Sequence, residues 1–148
     1  MLNVLIVEDG HEYIETMSRY LSEEVSFVRA GDGIEALTRL SEGAWDVVFM
    51  DMRFDRSEHL LGEDAQLRQR FGSDAGRIRR FLERHQGTYI ANAIREAGHS
   101  VPILFSYDFD GEPARWTHLS ARLAPAAYVN DTASPASVRA ALRGLCDG

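Results

Sequence analysis

Lysine is missing from this sequence: all 16 Lys+Arg positions are arginine. Any mechanism that needs an ammonium side chain, such as a Walker-type phosphate lysine or a Schiff-base lysine, is excluded. Cysteine is nearly as scarce. The single Cys146 permits no internal disulfide and no cysteine-rich zinc site. No apolar run approaches the ~20 residues that span a bilayer, and Glu8 and Asp9 stand where a signal peptide would be basic. Positive charge is in deficit overall. A net charge of -7 and a pI near 5.2 are the opposite of what a dedicated nucleic-acid binder carries. These absences point to a cytoplasmic protein without a membrane partner.

What is present is enough for one domain. A chain of 148 residues, 45% of them hydrophobic, can build one core, and two would be cramped. Leu2 to Val7 is a short β-branched run ended by Glu8-Asp9-Gly10, the pattern of a strand buried on both faces. His11 to Leu21 places Tyr13, Ile14, Met17, Tyr20 and Leu21 at helical intervals. A weaker strand follows at Val25 to Arg29, then a helix through Ile34, Ala36, Leu37 and Leu40, closed by Gly43. Asp46 to Met50 is a third strand running into Asp51. In the last third, Val101 to Phe105, a polar loop, a helix around Ala114 to Leu123 and a strand at Ala126 to Val129 resume the alternation. Ser134-Pro135 has the cap and first-turn signature of a final helix. Such alternation implies parallel strands joined by right-handed crossovers, an open α/β sheet covered by helices on both faces.

The stretch between Asp51 and the fourth strand is too long for one ordinary crossover. Ser57 to Phe71 reads as a helix carrying Leu60, Leu61, Leu67 and Phe71. From Ala75 a second helical pattern persists through Gly87 toward Ala97, either as one long helix or as two that meet at Gly87-Thr88. Residues 53–86 hold 8 arginines against 6 acidic residues, an arginine-rich helical insertion in an otherwise acidic chain. Arg77, Arg79, Arg80 and Arg84 read first as the solvated face of a helix and second as a docking surface. Trp45 and Trp116 read as packing residues, and the five histidines show no metal-ligand spacing.

In a doubly wound sheet, ligands bind beyond the carboxyl ends of the strands. With strand order 2-1-3-4-5, Glu8, Asp9 and Asp51 converge there. Three neighbouring carboxylates repel one another, which favours a divalent cation or raised pKa values. Magnesium suits such a site, since it takes one or two carboxylates and leaves room for phosphate oxygens. An aspartate beside it can accept a phosphoryl group, because that transfer needs positioning and charge neutralisation above all.

These residues resemble the response-regulator receiver domains of two-component signalling. VLIVEDG is similar to that family's first strand and acidic pair, GDGIEAL to the start of its second helix, and DVVFMDMRF to its third strand and phosphoacceptor. AAYVNDTASPASVRAAL resembles its fifth strand, the following loop and the last helix. The resemblance covers the chain outside the insertion and implies a flavodoxin-like fold. It implies Asp51 as phosphoacceptor, and Mg2+ held by Asp9, Asp51 and the backbone carbonyl of Arg53, with Glu8 acting through water. Ser106 is implied as the hydroxyl that contacts the phosphoryl group, with Tyr107 as the competing position, and Tyr128 as the switch aromatic. A histidine kinase or phosphotransfer protein is the implied phosphodonor, and a downstream protein the receiver of the signal.

One position departs from the family. Its lysine belongs three residues after Tyr128, followed by proline, and this chain has Asp131 and Thr132 there. Arg53 or Arg56 is the candidate to replace the lost charge, since arginine pairs well with carboxylate and phosphate. The expectation is therefore a stand-alone receiver, a phosphoacceptor in a phosphorelay and no enzyme in the ordinary sense. The competing reading is a pseudo-receiver that works as an interaction module without phosphorylation. A third, of a different class, is a small metal-dependent phosphohydrolase using the same acidic pocket.

Overall fold

The computed structural model describes residues 1–62 and 65–147. Five parallel strands, β1 (Leu2–Val7), β2 (Val25–Ala30), β3 (Val47–Asp51), β4 (Ile103–Ser106) and β5 (Ala126–Val129), form one sheet in the order β2-β1-β3-β4-β5. This is the expected order. Strand pleating sends successive side chains to opposite faces, and the core divides accordingly. Leu5, Val7, Val48, Met50, Ile103 and Phe105 face one way, onto α2 (Gly33–Glu42), α4 (Ala75–Glu96) and α5 (Pro113–Leu123). Val4, Ile6, Val47, Phe49 and Leu104 face the other way, onto α1 (Glu12–Leu21) and α6 (Pro135–Asp147). None of the described helices is long and apolar enough to cross a membrane.

Helix starts follow local chemistry. The Asp32 carboxylate accepts from Glu35 N–H at 2.8 Å, and Glu35 reaches back to Gly31 N–H at 3.0 Å, a reciprocal arrangement of the capping-box kind at α2. Asp74 and Ser134 play the same part for α4 and α6. The α1 start is different, because His11 makes no side-chain cap. Glu8 supplies the acceptor, as described below.

The arginine-rich segment departs from its expected form. Helix α3 covers only Ala65–Phe71; the expected helix from Ser57 also spans residues 63 and 64, which lie outside the described residues. Residues 57–62 are irregular, and the apolar pair that suggested a helix has another use. Leu61 packs toward Gly33, and its backbone N–H and C=O are both bonded by the buried Gln86 amide, at 2.8 and 3.0 Å. Beyond it, α4 is a single helix of 22 residues. Its first turns pair Ile78 and Leu82 with Leu67 of α3 in a small satellite core, while Arg77, Arg79, Arg80 and Arg84 are exposed.

Gly87 lies within α4, well past its start, so the helical pattern runs through it as one long helix and no second helix begins there. A Cβ there would stand 2.3 Å from the Asp51 carbonyl oxygen and 2.9 Å from Met52 Cα. Only glycine lets the helix touch the end of β3 this closely. Two hydrogen bonds use the contact: Gly87 N–H donates to Met52 O at 3.0 Å, and Phe54 N–H donates to Glu83 O at 2.8 Å. The residues after Asp51 are thereby stitched onto α4.

Candidate functional site

Parallel pairing brings the β1, β3 and β4 carboxyl ends together, as the topology requires. Asp51 and Ser106 are register partners at the ends of β3 and β4. Above them opens a cleft of about 550 Å³. Five carboxylates line it (Asp9, Glu12, Asp51, Asp55 and Asp131), against the guanidinium groups of Arg53 and Arg56. Tyr13 forms part of the same wall.

Asp51 is held by an N–H of its own loop. Met52 N–H donates to its Oδ1 at 2.8 Å. Burial, reinforced by the charges of Asp9 and Glu8, pushes its carboxyl from 3.8 up to about 7, and the Met52 bond opposes this only in part. A group in this state gains from a cation, which would lower its pKa again. Asp9 accepts the Arg56 backbone N–H at 2.7 Å, which fastens the loop after β3 to the end of β1.

Glu8 points elsewhere. It is 1% exposed, and its oxygens accept Tyr13 N–H at 3.1 Å and Ile14 N–H at 2.8 Å, two of the free donors at the start of α1. Burial raises its pKa despite these bonds. Among the described residues, no three His, Cys, Asp or Glu side chains are grouped as a ligand cage. Magnesium needs no cage, since it binds through one or two carboxylates and keeps several waters. Asp9 and Asp51, with the backbone of Arg53 in the same loop, fit that modest requirement.

Neither guanidinium reaches Asp51, although the Arg53 backbone N–H donates to its carboxylate. Arg53 Nε lies 3.5 Å from Asp55, and Arg56 Nη2 lies 2.8 Å from Glu12, both as solvent-exposed pairs. Exposed pairs of this kind contribute little to stability and rearrange readily. Asp131 lines the cleft with no cation bonded to it among the described residues.

Ser106 is 3% exposed, and its hydroxyl donates to Tyr13 Oη at 2.9 Å. Tyr107 turns away, and its phenol donates to Glu112 within a network that continues through Arg115 to His85. Of the two competing positions, Ser106 is therefore the one beside Asp51. Tyr128 is half-buried, its ring packed edge-on against Phe109 and Trp116 at 5.3 and 4.8 Å, and its hydroxyl donates to Asp110 at 2.5 Å. It faces the α5 side of β5, away from the cleft wall made by Tyr13.

Two residues escaped the sequence reading. Tyr13 was counted only as an apolar position of α1, and its ring does pack on Phe49 at 5.1 Å, but its hydroxyl reaches Ser106. Glu8, expected to act on the metal through water, also accepts the first free N–H groups of α1, a use the sequence reading does not include. Its position five and six residues before Tyr13 and Ile14, with His11 a poor cap between, was the available signal.

No family model matches the sequence, and no curated protein sequence matches it. Solved structures do. The receiver domain of the Francisella response regulator 1452 superposes with a TM-score of 0.67 at 15% identity, covering 99% of this chain and 98% of that one. The receiver domain of NtrX from Brucella abortus gives 0.66 at 14% identity, covering 97% and 98%. The signal receiver domain of a histidine kinase from Syntrophus aciditrophicus gives 0.65 at 14% identity, covering 100% and 92%. Each likeness runs over nearly the full length of both chains, and this chain has the fold of response-regulator receiver domains.

Proposed function

We propose that this protein is a response-regulator receiver that accepts a phosphoryl group on Asp51 and passes the change to another protein through surface contacts. The observation that carries the reading is the open acidic cleft lined by Asp9 and Asp51, with Ser106 the register partner of Asp51 beneath it. Asp9, Asp51 and the Arg53 carbonyl are the residues that would hold a magnesium ion, and bound there it supplies charge neutralisation for the acceptor carboxylate and the phosphoryl oxygens. Asp51 provides the attacking oxygen: an O–P bond forms as the P–N bond of a partner's phosphohistidine breaks, and the donor imidazole leaves. Ser106, the register partner of Asp51, is the hydroxyl that would donate to the new phosphoryl group. Two routes lead outward, through Met52 and Phe54 onto α4 and through β4 toward the Tyr128, Phe109 and Trp116 cluster. Either surface can hold the two-state element that the phosphoryl charge biases. The implied partners are a histidine kinase or phosphotransfer protein and a downstream protein, in a cytoplasmic setting.

A second reading has an observation of its own. Among the described residues no guanidinium reaches Asp51, and Asp131 adds negative charge where a receiver lysine would stand. That favours a pseudo-receiver, an interaction module that works without phosphorylation. Magnesium with beryllofluoride, followed by two-dimensional NMR, separates the two. The phosphoacceptor reading expects shifts that begin at Asp51 and Ser106 and extend to α4 or Tyr128, all absent in Asp51→Asn. An unchanged wild-type spectrum would establish the pseudo-receiver.

A further inference from the structure

Without lysine, the site needs another donor for a phosphoryl oxygen, and neither nearby arginine is aimed at Asp51. The buried hydroxyl of Ser106 is committed to Tyr13 Oη at 2.9 Å. Both hydroxyls rotate, so each can donate to the other, and the pair always has one proton left to give outward. Among the described residues, no acceptor takes the phenolic proton. The Tyr13 ring is fixed against Phe49, so the hydroxyl is held in place by packing. It shares its cleft with Asp51 and Asp131, and burial together with the charges of Asp51, Asp131 and Glu8 holds the phenol above its usual pKa, hence protonated.

We infer that Tyr13 and Ser106 form a two-hydroxyl relay in which Tyr13 is a positioning residue, fixing the Ser106 hydroxyl and keeping one neutral donor directed at a phosphoryl oxygen on Asp51. This rests on the phosphoacceptor reading above and assigns part of the missing lysine's work to uncharged groups.

The test compares wild type, Tyr13→Phe, Ser106→Ala, the double variant and Asp51→Asn. Phosphoramidate with magnesium gives the rate of adduct formation by intact mass, and 19F NMR of the magnesium–beryllofluoride complex reports the hydrogen bonds to the individual fluorines. Tyr13→Phe keeps the ring on Phe49 and removes only the hydroxyl. It is expected to slow adduct formation by about 10-fold, the scale of one hydrogen bond to a charged group, and to move one fluorine resonance more than the others. The double variant is expected to lose no more than the worse single variant, because both ends belong to one relay. A Tyr13→Phe protein that matches wild type in rate and fluorine spectrum overturns the relay while leaving the phosphoacceptor reading intact, as do strictly additive losses. A wild type that forms no adduct at all, like Asp51→Asn, overturns both.

Discussion

Replacing Asp51 by Asn should stabilise the metal-free protein, and only above a definite pH. The Asp51 carboxyl is raised from 3.8 to about 7 by burial and by the neighbouring Asp9 and Glu8. A carboxyl whose folded pKa is raised binds more protons in the folded state between those two values. Stability from this group is therefore complete below about pH 4 and is lost as pH rises toward about 7. At 1.36 kcal/mol per pH unit the loss has a ceiling of about 4 kcal/mol, and relaxation and water entry bring the expected value to about 2–3 kcal/mol. Asn has nearly the same shape, accepts the Met52 N–H as Asp51 does, and cannot ionise. In EDTA, thermal melts of the two proteins should nearly coincide near pH 4.5, roughly, and separate by about 5–10 °C near pH 8, with Asn the more stable. Curves that stay parallel across this range would refute the claim that the site stores electrostatic strain. Magnesium should close part of the gap by stabilising the wild type alone.

Other expectations follow from single contacts. Gly87→Ala gains about 1 kcal/mol of helix propensity, but its Cβ would stand 2.3 Å from the Asp51 carbonyl. A net loss of about 2 kcal/mol or more in urea unfolding is expected, and a neutral result would deny the close approach of α4 to β3. Glu8→Ala strands two N–H groups at the start of α1; unfolding should show a loss of about 1–2 kcal/mol, against which an unchanged midpoint would count. Asp131→Lys reverses the sign of one cleft wall, and phosphoramidate labelling should quicken by about 10-fold or more. A slower reaction would mean that the cleft is shaped for Asp131.

Much of this was legible in the residues. The run from Leu2 to Val7 and the pattern around Val47 to Asp51 had to be buried on both faces, and the alternation of elements then dictated where Asp9, Asp51 and Ser106 would meet. The 57–71 stretch was not legible, because Leu60 and Leu61 look helical when their partners are unknown. Only the fold shows Gln86 bonding the Leu61 backbone and Gly33 leaving room for its side chain. Glu8 and Tyr13 were hidden for a related reason: an acid at a strand end and an aromatic on a helix face each have a common role, and the one that applies depends on which neighbour the fold supplies. The choice between Ser106 and Tyr107 likewise turned on register, which the sequence left open by one residue.

The measurement that bears most directly on the central claim is intact mass after incubation with phosphoramidate, with magnesium and with EDTA, for wild type and Asp51→Asn. The account predicts that wild type gains the mass of one phosphoryl group in magnesium, gains little in EDTA, and that Asp51→Asn gains none. Equal labelling of both proteins, or none of the wild type in magnesium, would contradict it.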